Sequence, residues 1–210
     1  FLYSRSFEMM VELGSMPVMQ ILSQATRIIA EGEVLQLSKV RDASTSEETY
    51  MEVIRGKTAM LFEASAHSAA VLAGGSSEQA EALRVFGDHL GIAFQLGDDL
   101  LDYQGDAATL GKNVGDDLAE GKPTLPLIYT MREGSAEQAA LVRTAIQKGG
   151  IEDLESIRAA VQASGALDYT ARLARQHADQ AIACLDALPG NAYRDALIEL
   201  SRVAVARTHP

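Results

Sequence analysis

The sequence predicts an all-α protein, a single domain formed by a bundle of helices over residues 1–210. Three observations predict it. Alanine and leucine dominate and β-branched runs are few, a composition that favours helix over sheet. Apolar residues recur at helical spacing along most of the chain, and no alternating strand pattern stands out. The breaks between periodic segments carry capping residues and glycines.

Phe1 to Leu13 reads as the tail of a helix, with Leu2, Phe7, Met10 and Val11 on its buried side, and Gly14 stops it. Ser15 can cap the next helix, and Pro17 sits in its first turn. That helix carries Val18, Ile21, Leu22, Ala25, Ile28, Ile29, Gly32, Leu35 and Gln36, and the polar stretch 41–48 breaks it. Ser44 or Thr45, each three residues before a glutamate, gives a capping-box start. The helix that follows is expected from about Glu47 to Ala73, ended by Gly74 and Gly75. Ser76 and Gln79 form another capping box and open a long helix to about Tyr103. Residues 105–124 read as a Gly-rich, charged loop bounded by Pro123. A loop of that length in a helical bundle is more often functional than idle. Helices resume at Leu125–Arg132 and at Ser135, where Gln138 completes a capping box, ending near Gly149-Gly150. Ile151–Ala163, Ala166–Leu188 and Ala192–Ala206 complete the chain. The opening FLYSRSFEMM has neither an initiator Met nor a helix-start signal, so the chain is expected to begin inside a helix, with N-terminal helices of the bundle missing.

The 210 residues carry a formal net charge of -11, with 47% hydrophobic and 5% aromatic residues. That is enough apolar material for one core. The acidic balance argues against nucleic acid as a partner, because binding it needs basic surface. Anionic substrates would have to be met by metal ions and a few placed cations. No apolar run approaches the ~20 residues of a membrane span, so stable membrane insertion is not expected, and the absence of targeting signals points to the cytoplasm. The one cysteine, Cys184, cannot form an internal disulfide and reads as a small buried core residue. The methionines at 9, 10, 16, 19, 51, 60 and 131 read as gap-filling core.

The chemistry concentrates in FQLGDDLLDYQGD, residues 94–106. On a helix, Asp98 and Asp102 stack one turn apart, Asp99 lies beside them and Gln95 one turn before. Three carboxylates in an apolar helix repel one another and resist desolvation, so something must neutralise them. A solvated face or an N-cap cluster is the ordinary alternative. The neighbours are too apolar for the first. For the second, the aspartates lie in the later half of the helix, where the dipole disfavours anions. A hard divalent cation suits them: Mg²⁺ takes oxygen ligands and is shared between carboxylates and substrate phosphates. The order of residues does not fit an EF-hand loop.

Lys57 and Thr58 lie within EVIRGKTAMLFEASA. Most helical lysines are solvated, but beside a diphosphate site an ammonium supplies a point charge and the next hydroxyl a donor. Lys112, Asp116, Asp117 and Lys122 lie on or beside the charged loop, where two lysines could fold over a polyanion; local ion pairing is the plainer reading. The GK here is no P-loop. His67, His89, His177 and His209 show no metal-ligand spacing, and His67 and His89 read as core-edge or surface residues.

Together these motifs carry a family resemblance. FQLGDDLLDYQGD resembles the second aspartate-rich motif, DDxxD preceded by FQ, of the trans-isoprenyl diphosphate synthases. GKNVGDDLAEGKPTLPLI resembles the GKxxGxDxxxGKxT segment that follows it; Lys57-Thr58 matches the family's KT pair, and IIAEGEVLQL its upstream helix. The match spans nearly the whole chain in order and is most similar to the bacterial branch that makes octaprenyl diphosphate for the ubiquinone side chain.

The resemblance implies an isoprenoid-synthase-type bundle of mostly antiparallel helices around a central cavity, usually homodimeric. It implies 1'-4 addition of isopentenyl diphosphate to an allylic prenyl diphosphate such as farnesyl diphosphate, with Mg²⁺ (or Mn²⁺) aiding departure of diphosphate. By the same resemblance Asp98, Asp99 and Asp102 hold the metal. Lys57, Thr58 and Gln95 bind the allylic diphosphate or act near its departing oxygens, with Asp98 among the catalytic groups. Lys112 and Lys122 contact diphosphate, Asp117 matches the loop's aspartate, and Gln36 lines the cavity. The family uses two facing aspartate-rich motifs, and these 210 residues hold one. The expectation is a C-terminal portion that does not elongate prenyl chains alone. A non-catalytic partner subunit is the first alternative, disfavoured by the intact GDDLLD. Another class-I terpenoid enzyme is the second, disfavoured by KT, FQ and GKPT.

Overall fold

The computed structural model describes residues 1–104, 115–150 and 152–206. All regular structure among them is helical: α1 Leu2–Leu13, α2 Met16–Lys39, α3 Glu47–Ile54, a π turn Arg55–Ala59, α4 Met60–Leu72 and α5 Ser77–Gln104. Then follow α6 Asp116–Glu120, α7 Leu125–Glu133, α8 Ala136–Lys148, α9 Leu154–Ala163, α10 Ala166–Cys184, a 3₁₀ turn Leu185–Ala187 and α11 Ala192–Ala206.

The 28-residue α5 is the central helix, flanked by α4 on one side and α10 on another, with α2 beyond α4 and α11 against both α5 and α10. Its sequence explains this place. Phe86, Leu90, Ile92, Ala93, Leu96, Leu100 and Tyr103 are buried on more than one face. A helix covered on several sides needs such a pattern. Ile92 and Leu96 have no exposed surface, and burial of each contributes about 1.5–3 kcal/mol. Gly87 and Gly91 let α4 come close: a methyl group at either would meet backbone of the π turn or α4 at 2.5 Å. The capping box at Ser76 and Gln79 is present, with both reciprocal hydrogen bonds. The same holds for Ser135 and Gln138 at the start of α8.

The departures from expectation have local causes. The helix expected from Glu47 to Ala73 is interrupted, because Arg55–Ala59 widens into a π turn in which Met60 N–H reaches back to Arg55 O. Its N-cap is Ser46, which accepts from Thr49 N–H, and not Ser44 or Thr45. Ser44 is engaged with the Asp42 carboxylate, and the Thr45 hydroxyl donates to Asp42 O. Glu47 and Glu48 then occupy the first turn, where the dipole favours anions. Of the expected inner face of α1, Met10 is buried, while Leu2 and Val11 are exposed; α1 packs on α2 alone among the main contacts. Met9 and Met16 are likewise exposed, and Cys184 is half-buried, packed on Leu185 and its neighbours. Residues 116–120 of the expected loop form α6, α9 begins at Leu154, and α10 tightens into the 3₁₀ turn before Leu188. His209 lies outside the described residues. No helix among the described residues is long and apolar enough to cross a membrane.

Candidate active site

Gln36, Lys57, Thr58, Gln95, Asp99, Asp117 and Lys122 come together where α2, the π turn and α5 meet α6 and the segment after it. A small cavity of about 50 Å³ is lined by Gln36, Gln95, Asp99, Asp117 and Lys122, together with Tyr50. Lys57 and Thr58 join it through hydrogen bonds. Lys57 Nζ donates to Gln36 Oε1 and lies 2.9 Å from Glu33 Oε2. Thr58 Oγ1 donates to Gln95 Oε1 at 2.9 Å, so its proton is directed at Gln95.

From Gln95 the chain of hydrogen bonds continues into the aspartates. Gln95 Nε2 donates to Asp99 Oδ1 at 2.9 Å, and Tyr50 O–H donates to Asp99 Oδ2 at 2.5 Å. Asp99 is 1% exposed, and both its oxygens are held by protein donors. Asp102 accepts at Oδ1 from the Gly115 and Asp116 amides, each at 3.1 Å. These donors offset its place at the C-terminal end of α5, where the helix dipole repels an anion. Asp98 is half-buried and raises the proton affinity of both Asp99 and Asp117 through its charge. Asp117 lies 3.3 Å from Lys122, which also pairs with Glu120 at 2.9 Å. Lys112 lies outside the described residues.

The electrostatics are those of crowded anions. Burial first, then the Asp117 charge, pushes Asp99 up to about 8, against the two donors that favour its ionised form. Burial and Asp117 push Asp102 up to about 6. Burial raises Asp117 as well, although Lys122 opposes it. Burial works against the Lys122 charge, yet Glu120 and Asp117 outweigh it and hold the ammonium above its ordinary range. Among the described residues Asp102 Oδ2 is buried with no hydrogen-bond partner. Hard oxygen donors, mutual repulsion and a buried unpaired carboxylate oxygen fit a divalent cation.

Tyr50 is the residue that sequence reasoning missed. Nothing in its spacing marks it, since it contacts Asp99 across 49 positions. Glu33 was passed over in the same way, although it lies within the IIAEGEVLQL stretch.

On another face of α3 a groove of about 1090 Å³ opens, with Ile21, Ile28, Met51 and Met60 among its lining residues and Arg84 and Arg132 at its charged edge; it shares no lining residue with the cavity at Asp99. A helical bundle that gathers an acidic cluster and two lysines on polar partners defines a class of site suited to a divalent cation and an anion.

Residues 1–164 match the family described as polyprenyl synthetase, and the chain belongs to that family. It is 52% identical to octaprenyl diphosphate synthase of Escherichia coli K12, over 99% of this chain and 64% of that enzyme. It is 48% identical to an all-trans-nonaprenyl-diphosphate synthase (geranyl-diphosphate specific) of Rhodobacter capsulatus, over 99% of this chain and 63% of that enzyme. The crystal structure of a Caulobacter crescentus CB15 polyprenyl synthase, complexed with calcium and isoprenyl diphosphate, superposes with a TM-score of 0.93 at 46% identity, over 99% of this chain and 64% of that one. The chain thus spans somewhat less than two thirds of the relatives it matches.

Proposed function

We propose that this chain is the part of a long-chain trans-prenyltransferase that carries one wall of its metal–diphosphate site. The activity is addition of isopentenyl diphosphate units to an allylic prenyl diphosphate, with octaprenyl diphosphate as product. The observation that carries this reading is the hydrogen-bonded chain Thr58–Gln95–Asp99, whose cavity also holds Asp117, Lys122 and Gln36, the partner of Lys57. The relatives' names support a long-chain prenyl diphosphate product, and that of the Escherichia coli relative supports the octaprenyl length.

In this reading Asp98, Asp99 and Asp102 form the acidic wall for Mg²⁺ or Mn²⁺. The cation, when bound, supplies charge neutralisation that helps the diphosphate depart. Asp99, with both oxygens held by Tyr50 and Gln95, orients the cluster. Asp98 and Asp102 would complete the acidic wall that faces the cation. Lys57 and Lys122 now neutralise glutamates and Asp117, and each would exchange one of these partners for a diphosphate oxygen. Gln95 fixes the Thr58 hydroxyl beside Lys57, where it can turn toward an oxygen of the leaving group. Exposed Leu2, Val11, Leu13 and Met16 on α1 and the start of α2 support self-association, which we read as a homodimer. A single cysteine suits a reducing, cytoplasmic setting.

A chimera tests the activity. This chain would replace the matched portion of the Escherichia coli octaprenyl diphosphate synthase, and products from farnesyl and isopentenyl diphosphates would be separated by chain length. Mg²⁺-dependent octaprenyl product is expected, with loss of about 10²-fold or more in turnover for Lys57→Ala. A folded chimera without elongation would contradict the reading.

A further inference from the structure

Two backbones approach closely where the π turn crosses α2. A methyl group on Gly32 would lie 2.7 Å from the Lys57 amide nitrogen and 2.9 Å from the Gly56 carbonyl carbon. Both are main-chain atoms, which cannot swing aside as a flexible side chain can. On the far side of the same turn, a methyl group on Gly91 would meet Ala59 Cα at 2.5 Å and Cβ at 2.9 Å. The π turn is therefore held between glycines of two different helices. π turns are rare, and those that occur are often found at functional sites. This one carries Lys57 and Thr58.

Gly32 and Gln36 lie one turn apart on α2 and so share a face. The face that touches the Lys57 backbone thus also presents the side chain that receives Lys57 Nζ. Glu33, the other partner of Lys57, is the next residue along. We infer that Gly32 is a positioning residue for the diphosphate site: its bare Cα lets the π turn lie on α2, and this sets Lys57 against Gln36 and Thr58 against Gln95. The inference rests on the reading of Lys57 and Thr58 as diphosphate-facing groups. Gly56 provides the contrast. A methyl group there would sit 3.4 Å from Gly32 Cα and 3.7 Å from Ile28 O, which is ordinary contact.

The test compares the wild-type chain with Gly32→Ala, Gly56→Ala, Lys57→Ala and the double variant Gly32→Ala/Lys57→Ala. Two quantities are read: calorimetric affinity for farnesyl diphosphate in Mg²⁺, and the side-chain amide resonances of Gln36 and Gln95. Gly32→Ala is expected to fold, to bind about tenfold or more weakly, and to shift both amide resonances. Gly56→Ala should stay within about twofold of wild type, since it makes only ordinary contacts. In the Lys57→Ala background, Gly32→Ala should cost little more, because coupled residues are not additive. A wild-type affinity with unshifted resonances in Gly32→Ala would overturn the inference. So would full additivity of the two losses, and so would loss of helical circular dichroism in Gly32→Ala, which would make the role purely structural. If the wild-type chain binds no farnesyl diphosphate, the diphosphate reading fails on its own, and the two amide resonances alone decide whether Gly32 sets the position of Lys57 and Thr58.

Discussion

Asp99 is buried to 1% exposure between a tyrosine hydroxyl and a glutamine amide, and the order of those donors fixes its surroundings. Gln95 can donate to Asp99 only through its nitrogen, so its oxygen is left to accept from Thr58. Tyr50→Phe removes one donor and leaves a buried carboxylate oxygen without a partner. That should destabilise the fold by about 1–3 kcal/mol. A shift in the urea midpoint at unchanged slope would report it, and a midpoint equal to wild type would show that the tyrosine contributes nothing there. At this scale much was legible in the sequence. Carboxylates at helical spacing inside an apolar run, and a KT pair inside a helix, announce themselves by residue type. Tyr50 does not, because an aromatic on a helix looks like core until its partner 49 residues away is known.

The π turn and the glycine contacts belong to the level of elements. The helix between Glu47 and Leu72 was legible as a helix, but its widened register was not. Apolar periodicity alone does not report one extra residue in a turn, nor that the turn packs closely on Gly32 and Gly91 of other helices. The cap at Ser46 was missed for a related reason. Three hydroxyl residues stand in a row, and Asp42 engages the other two. Gly87→Ala would drive a methyl group to 2.5 Å from Phe62 O and should cost about 1–3 kcal/mol through overpacking of α4 on α5. Thermal unfolding checks this, and a melting temperature at or above wild type would contradict the close contact.

α5 and α10 also meet through His89 and His177, whose Nδ1 atoms lie 2.9 Å apart. One must donate and the other accept, so at most one of the two rings carries a charge. Burial and the His89 charge push His177 down to about 4; Asp88 works in the opposite direction and Arg55 in the same one. The unfolded chain titrates near 6.5. Between about 6.5 and 4 the unfolded state therefore takes up a proton that the fold refuses, and stability falls as pH falls. His177→Leu should flatten that part of the stability profile by up to about 1 kcal/mol per pH unit. Identical profiles for variant and wild type between pH 7 and 5 would exclude the pair as a source of acid sensitivity.

Across the whole molecule, the bundle brings segments from α2, α3, α5, α6 and the residues after α6 to one cavity. Helix order and fold class could be read from periodicity and caps, because each helix declares its own buried face. Which faces meet could not, since that depends on contacts between helices far apart in sequence. The resemblance to a known family supplied that arrangement in advance. We read this chain as holding a preorganised acidic wall for a metal-bridged diphosphate. The most direct test is calorimetric titration of farnesyl diphosphate into the chain, with Mg²⁺ and with EDTA, beside Asp98→Asn. Binding that requires Mg²⁺ and is lost in Asp98→Asn is expected. Binding that is indifferent to EDTA and to the substitution, or no binding in any condition, would contradict the reading.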